Sequence, residues 1–157
     1  MRRFFLMILA ALTVFSMTAC GGGKTAEGKQ MDMQQLYTSL QEAVQMPEML
    51  TLDERMMLDY CGIRSEQVKQ AVVVICADSL RTDELWLLEA VDEAAAKALA
   101  ELADSRLRNK EAESVTYSPE QYAVVKKAEL LQIGNYVILL VSPNSAAMAQ
   151  VVREANQ

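Results

Sequence analysis

Histidine is absent from the 157-residue sequence. Its absence excludes Ser-His-Asp and Cys-His catalytic groups, histidine-ligated zinc, and the side chain that most often acts as a general base near neutral pH. Aromatic residues are also few, because all three phenylalanines precede residue 20 and leave one tryptophan and five tyrosines for the rest of the chain. The chain lacks the motifs of phosphate loops, calcium loops and catalytic serines as well. We therefore expect no cofactor and no metal.

Positive charge is scarce. The sequence has 15 lysines and arginines against 21 aspartates and glutamates, a formal net charge of −6. Two of the arginines, at positions 2 and 3, belong to the N-terminal leader, so the rest of the chain is more acidic still. Such an excess of negative charge repels nucleic acid and anionic lipid headgroups. We expect no nucleic-acid partner, and attachment to a membrane then requires a covalent or inserted anchor.

The first 19 residues have the organisation of an export signal. Two arginines precede an almost continuous apolar stretch over residues 4–15, which is too short to cross a hydrocarbon layer of about 30 Å. The leader ends in the tetrapeptide Met-Thr-Ala-Cys at Cys20 and resembles the lipobox of bacterial lipoproteins. The resemblance implies cleavage before Cys20, diacylglyceryl modification of its thiol, and attachment to the outer face of the cytoplasmic membrane. An ordinary secretory signal and a retained membrane helix are the alternatives.

A flexible tether and one folded domain are expected after the leader. Residues 20–30 contain three consecutive glycines and no large apolar side chain after the cysteine, which is typical of a flexible linker. Residues 31–157 are long enough to bury a single hydrophobic core without disulfide or metal support. Their hydrophobic pattern predicts an α+β domain.

Hydrophobic periodicity and capping residues predict five helices. The helices extend from Asp32 to Pro47, from Thr51 to about Gly62, from Asp92 to Glu113, from Ser118 to about Ala128, and from Pro143 towards the C terminus. In the second of them, Thr51 and Glu54 have the spacing of a capping box.

Four strands in two hairpins are predicted to form the sheet. The first hairpin joins apolar runs over residues 71–77 and 85–91, and the second joins runs over residues 130–133 and 136–141. Gly134 and Asn135 separate the second pair, and both tolerate the positive φ of a tight turn. The simplest architecture is a four-stranded, mainly antiparallel sheet with the helices packed on one face, a two-layer α+β sandwich.

Carboxylates and thiols are the side chains left for chemistry. Three adjacent carboxylate pairs occur, and each has a local explanation: Asp53-Glu54 and Asp92-Glu93 at helix starts, and Asp83-Glu84 in a turn. Cys61 and Cys76 remain beside Cys20, and either a disulfide between them or two buried free thiols fits the sequence. No Cys-x-x-Cys spacing indicates redox activity.

The C-terminal half of the chain carries motifs of a known family. Arg106, Tyr117-Ser118-Pro119 and Gly134-Asn135-Tyr136-Val137 resemble the motifs of a family of small bacterial lipoproteins with a domain of unknown function, found in clostridia and their relatives. The resemblance extends over residues 106–141, and more loosely over 85–102. It implies no activity, cofactor or substrate.

Most of these motif residues have a structural interpretation. Pro119 starts a helix, and Gly134 with Asn135 turns a hairpin. Tyr117 and Tyr136 are expected to pack between the sheet and a helix, with their hydroxyls bonded to polar partners.

Arg106 is the exception among the motif residues. It lies four residues after Leu102 on the predicted apolar side of a helix, where a guanidinium requires acceptors. We predict that a carboxylate or carbonyl of the protein supplies them, and an anionic ligand is the alternative.

Together the patterns predict a lipid-anchored, non-enzymatic module outside the cytoplasmic membrane. Such a module binds a protein partner or a small ligand, or supports an envelope assembly. A cell-envelope enzyme that uses aspartate and glutamate carboxylates is the alternative, and a solute-binding component of a transporter is a third interpretation.

Overall fold

The computed structural model describes residues 30–157. The predicted leader, Cys20 with its predicted lipid, and all of the predicted tether except Gln30 lie outside these residues. Five helices are present: α1 Met33–Ala43, α2 Glu54–Met56, α3 Glu93–Tyr117, α4 Pro119–Val125 and α5 Ser145–Ala155. Five strands are present: β1 Met49–Thr51, β2 Val68–Cys76, β3 Glu84–Ala90, β4 Glu129–Ile133 and β5 Tyr136–Val141. A wide π-helical turn, Met57–Cys61, continues α2, and a 3₁₀ turn, Ser65–Gln67, leads into β2.

The strands form one antiparallel sheet in the order β1-β2-β3-β5-β4. Both predicted hairpins, β2 with β3 and β4 with β5, are confirmed. The tight turn of the second hairpin contains Gly134 at a φ of +56°, a backbone conformation that glycine adopts without steric cost. Pairing of β3 with β5 joins the two hairpins into one sheet.

The prediction of four strands is wrong because β1 forms a fifth. Its three residues pair with the last three residues of β2, from Val74 to Cys76. A strand of this length is too short to show an alternating pattern, so only the pairing partner reveals it. Thr51 therefore ends a strand instead of capping a helix, and Asp53 caps α2 by accepting from the backbone N–H of Met56 at 2.8 Å.

The prediction that helices cover one face of the sheet is also wrong. Helices α3 and α4 pack on the face that carries Trp86, Leu88 and Leu139. Helices α1 and α5 pack on the opposite face, against Leu85 and Leu87 among others. Every residue of β3 is buried, and the four consecutive apolar residues at its centre, Leu85 to Leu88, are typical of strands covered on both sides. The sheet is therefore the middle layer of three.

The predicted starts of α1, α3 and α4 agree with the structure. Asp32 and Asp92 cap α1 and α3, each accepting a backbone N–H three residues further on at 2.8 Å. Ser118 caps α4, and Pro119 occupies its first turn as predicted. Helix ends agree less well, since α3 continues to Tyr117 instead of ending at Glu113.

The sheet has two ends with different surroundings. At the first, which we call the Met31 end, the N–H of Met31 donates to the Tyr136 hydroxyl at 3.0 Å. At the second, the Asp83 end, β3 begins and Glu84 lies opposite Val141 of β5. Because a strand rises about 3.4 Å per residue, the seven residues of β3 separate the two ends by roughly 20 Å.

The Tyr136 hydroxyl is predicted to stabilise the start of α1. Replacement of Tyr136 with Phe removes the acceptor of the Met31 N–H and should lower the free energy of unfolding by about 1 kcal/mol. Chemical denaturation measures the change. The control is Tyr60→Phe, since Tyr60 is 61% exposed, and it should leave stability unchanged. Equal stability of the two variants would show that the Met31 bond contributes nothing.

Candidate functional site

Two adjacent carboxylates at the start of β3 are buried. Glu84 is fully buried and Asp83 is 3% exposed. The prediction that this pair lies in a turn is wrong for Glu84, which begins β3. Glu84 belongs to the strand, and Asp83 immediately precedes it. Since side chains alternate along extended backbone, Glu84 shares the α3 face with Trp86, and Asp83 extends towards the α1 and α5 face. The two carboxylates therefore belong to separate sites.

Glu84 is surrounded by hydrogen-bond donors. The guanidinium of Arg106 binds it through two nitrogens, with Nε 3.1 Å from Oε1 and Nη2 3.0 Å from Oε2. Nζ of Lys110 lies 2.8 Å from Oε2, and Nε1 of Trp86 donates to Oε1 at 2.7 Å. Lys110 also donates to the carbonyl of Thr82 at 3.1 Å. We call these four side chains, Glu84, Trp86, Arg106 and Lys110, the Glu84 cluster.

Local structure explains how the cluster assembles. Arg106 and Lys110 are four residues apart on α3, so both side chains leave the same face of the helix. Glu84 and Trp86 are two residues apart on β3 and point to the same face of the sheet. Packing of α3 over β3 then brings both basic groups onto one carboxylate.

Charge in the Glu84 cluster shifts three pKa values. Burial alone would raise the pKa of Glu84, but the Lys110 ammonium and the Arg106 guanidinium outweigh it and hold that pKa below its ordinary value. Burial likewise acts to lower the pKa of Arg106, and its bonds to Glu84 raise it further than burial lowers it. Burial, with the nearby Glu84 charge, raises the pKa of the Cys61 thiol to about 11.

These shifts limit the chemistry of the cluster. Glu84 stays ionised at neutral pH and each of its oxygens accepts at least two hydrogen bonds, so it has no proton to give. Cys61 stays protonated, and a thiol is a poor nucleophile. Arg106 has an internal carboxylate, and its side chain is 30% exposed. The arrangement fits a clamp between β3 and α3.

Tyr117 does not occupy the predicted position. It is 86% exposed, so the expectation that it packs between the sheet and a helix is wrong. The reason is the length of α3, which continues past Ser114, its last buried residue, and carries Tyr117 away from the core.

Pro119 lies close to the Glu84 cluster in the fold. It begins α4, where the hydroxyl of Ser118 accepts from the backbone N–H of Gln121 at 3.3 Å. The side-chain oxygen of Gln121 in turn accepts from the N–H and the hydroxyl of Thr82, at 2.8 and 3.0 Å. The start of α4 is therefore bonded to the turn between β2 and β3.

Gly134, Asn135 and Tyr136 lie at the opposite, Met31 end. The Asn135 carbonyl accepts from the N–H of Ala90 at 2.8 Å, which closes the hairpin onto β3. Tyr136 is half-buried, and its hydroxyl holds Met31. The motif residues therefore do not converge on one site.

A cleft lies beside Asp83. It has a volume of about 280 Å³ and is lined by residues 45–47, by Arg81 and Asp83, and by Pro143 and Asn144. Oδ2 of Asp83 accepts from Nε of Arg81 at 3.0 Å, whereas its buried Oδ1 has no donor among residues 30–157. This site was not predicted from the sequence. Its signal was the position of Asp83, which directly precedes a strand and continues the alternation of that strand.

Cys61 and Cys76 are buried free thiols, so no disulfide joins them. Within residues 30–157, no three cysteine, aspartate or glutamate side chains are grouped to hold a metal ion. In the same part of the chain, no helix combines the length and the apolar character that a membrane crossing needs.

One comparison with known proteins identifies the family of this chain. The model of a domain of unknown function, DUF4358, matches residues 42–142, nearly two thirds of the chain. The chain belongs to the DUF4358 family. No curated protein and no solved structure matches it. The predicted membership in a family with a domain of unknown function is confirmed, and lipidation stays a prediction.

The DUF4358 match covers the sheet and the Glu84 cluster. It includes all five strands and every predicted motif residue from Arg106 to Tyr136. Helix α5 lies outside it, as does all but the last two residues of α1. The match therefore includes the whole sheet but little of the two helices that cover its second face.

Replacement of Arg106 tests the clamp. The change Arg106→Lys removes the two-nitrogen grip on Glu84, so we expect the free energy of unfolding to fall by about 1 kcal/mol or more. The control is Arg108→Lys, since Arg108 is 66% exposed and pairs only with Asp104 on the same helix. Urea denaturation measures both variants. An Arg106→Lys variant that unfolds like the parent but no longer associates with membrane partners would instead make Arg106 a recognition residue.

Acid should remove the stabilisation that Glu84 provides. Because its folded pKa lies below the ordinary value of 4.5, the charge stabilises the fold above that pH, and the stabilisation is lost as the pH falls through the folded pKa. Glu84→Gln should cost roughly 3 kcal/mol at pH 7, since two partly buried cations lose the charge of their partner.

The difference between parent and Glu84→Gln should narrow in a urea titration from pH 7 down to about pH 3. The control is Glu101→Gln, which changes an exposed carboxylate on α3 and should follow the parent at every pH. A constant gap between Glu84→Gln and the parent would contradict the pKa argument.

Proposed function

We propose that this DUF4358 protein is a lipid-anchored, non-enzymatic binding module on the outer face of the cytoplasmic membrane. The observation that carries the proposal is the leader, in which a short apolar stretch ends in a small-residue motif at Cys20. A diacyl anchor supplies the attachment that an acidic domain cannot obtain from anionic headgroups. The bound partner is a protein or a small ligand.

The arrangement of carboxylates supports a binding role over catalysis. Hydrolysis by a carboxylate pair requires both groups to reach one substrate. Asp83 and Glu84 face opposite sides of the sheet, and Glu84 is committed to Arg106 and Lys110. The carboxylates of Asp53 and Asp92 accept backbone N–H groups at helix starts. An enzyme that uses paired carboxylates is therefore disfavoured.

A solute-binding role beside a transporter is the second candidate. The observation in its favour is the Asp83 cleft, whose 280 Å³ would admit a small polar molecule.

The first described residues and the cleft lie at opposite ends of the domain. Met31 is bonded at one end of the sheet, and Asp83 lies at the other. Under the proposed anchoring, the chain therefore enters the domain at the end remote from the cleft.

Replacement of Cys20 tests the proposed function. In the expressing bacterium, Cys20→Ser should release the protein from membranes or leave the precursor uncleaved, because serine offers no thiol for diacylglyceryl transfer. Detergent phase partition and metabolic labelling with a fatty acid measure the change. The control is Cys61→Ala with Cys76→Ala, which retains only Cys20 and should keep both label and membrane attachment. A Cys20→Ser protein that is still processed and membrane-bound would contradict the proposal.

A further inference from the structure

Strand β4 is an open edge of the sheet. It pairs with β5 on one side, and no strand of the described chain pairs with its other side. Ile133, which flanks the tight turn, forms a hydrogen-bonded pair with β5, and such pairs alternate with unbonded ones along a hairpin. Leu131 is therefore bonded to β5 as well, whereas Leu130 and Gln132 direct their N–H and C=O groups away from it.

β4 lacks the common protections of an edge strand. Among these protections are a very short strand, a bulge, a proline and a lysine. β4 has five residues, no register shift against β5, and neither proline nor lysine in its sequence Glu-Leu-Leu-Gln-Ile. The opposite edge, β1, has only three residues. β4 is therefore the edge at which another strand can be added through main-chain hydrogen bonds.

A second β4 strand fits this edge in a symmetric register. When two β4 strands run antiparallel about Leu131, Leu130 of each copy lies opposite Gln132 of the other. These are the residues with outward backbone groups, so each outward N–H meets a C=O. Glu129 then lies opposite Ile133, so no like charges face each other. Leu131 faces its own copy in an unbonded pair, in which the Cα atoms are about 4.5 Å apart.

A groove of about 680 Å³ borders this edge. It is lined by Gln132 and by residues at the start of α3, namely Asp92, Glu93, Ala94 and Lys97. Leu130 packs on the α3 face of the sheet and is only partly buried. Because opposite residues of paired strands share a face, the second copy's Leu130 lies beside Gln132 at this groove. Pairing there removes further apolar surface of Leu130 from water.

Charge at the two ends of β4 is complementary. Lys126 and Lys127 directly precede the strand, and both are exposed. Asp92 and Glu93 lie near its other end, where they share the groove with Gln132. Antiparallel pairing therefore brings the lysines of each copy towards the carboxylates of the other. Because this match occurs at both ends of the interface, it favours a second copy over an unrelated peptide as the occupant.

We propose that two copies of this chain pair through β4 and form a dimer with a continuous sheet. Because the same strand serves both copies, the interface is symmetric and closes without further addition. The dimer goes beyond the proposed binding function and does not depend on the lipid anchor.

Disulfide trapping in intact cells of an expressing bacterium tests the dimer. The full-length chain carries Cys61→Ala and Cys76→Ala, so an added cysteine and Cys20 are its only cysteines. With Leu131→Cys, an added oxidant should give a disulfide-linked dimer, because Cα atoms about 4.5 Å apart suit a disulfide. The matched control is Glu129→Cys, which should give roughly tenfold less dimer, because its two copies lie about 14 Å apart along the strands.

Variants of the Leu131→Cys chain test the strand pairing itself. Gln132→Pro removes an outward N–H that its own sheet does not use, so the cross-linked fraction should fall roughly tenfold while the fold is retained. Gln132→Thr keeps that N–H and should leave the fraction unchanged. Lys127→Glu does not alter β4, and it should lower the fraction several-fold by placing a like charge near Asp92 and Glu93. It gives the answer if Gln132→Pro prevents folding.

Three results overturn the proposal. The first is an equal yield of dimer from Leu131→Cys and Glu129→Cys, or no dimer from either. The second is a Leu131→Cys product with a different protein, identified by its mass, which shows another occupant of the edge. The third is a dimer that persists in both Gln132→Pro and Lys127→Glu. None of these results changes the outcome of Cys20→Ser, so the proposed anchoring is judged separately.

Discussion

Glu84 carries a negative charge into the layer between β3 and α3, where it has no exposed surface. Such a group is tolerated only when cations and donors surround it, since the cost of removing a carboxylate from water is several kcal/mol. The two basic groups come from one turn of α3, and therefore the register of that helix over the sheet is fixed by a single carboxylate. The Trp86 indole completes the shell, so the largest core side chain is oriented by the same interaction. One carboxylate thus bonds both the helix and the largest side chain of the core beneath it.

Local signals in the sequence identified local structure. The Ser118-Pro119 start and the Gly134-Asn135 turn were predictable because their backbone requirements are met within four residues. β1 was not predictable, because a three-residue strand exists only through its pairing with β2. The second helix layer was missed although the four consecutive apolar residues at the centre of β3, Leu85 to Leu88, indicated it. Alternation, not total hydrophobicity, distinguishes a strand covered on one face from a strand covered on both.

The residues of the Glu84 cluster were likewise predictable only where the signal was local. Arg106 was recognisable because an arginine on the inner side of an amphipathic helix must have an acceptor. Its partner was not, since Glu84 is 22 residues away along the chain and an acidic pair between two strands is ordinarily a turn. Tyr117 was misplaced because the end of α3 was set four residues too early. Long-range pairing and helix ends are therefore the information that the sequence did not reveal.

The attachment of α1 has a mechanical consequence. The start of the helix is held to the sheet by three hydrogen bonds. The N–H of Met31 donates to Tyr136, the N–H of Met33 donates to Gln70, and the Gln70 amide donates to the Met31 carbonyl. In a chain tethered on its N-terminal side, tension enters at residue 30 and loads these three bonds before it reaches any strand. Yielding would peel α1 away and expose the Leu85 side of the sheet, while the Glu84 side stayed sealed beneath α3. In such a chain the α1 layer therefore bears the load first, and the α3 layer is shielded from it.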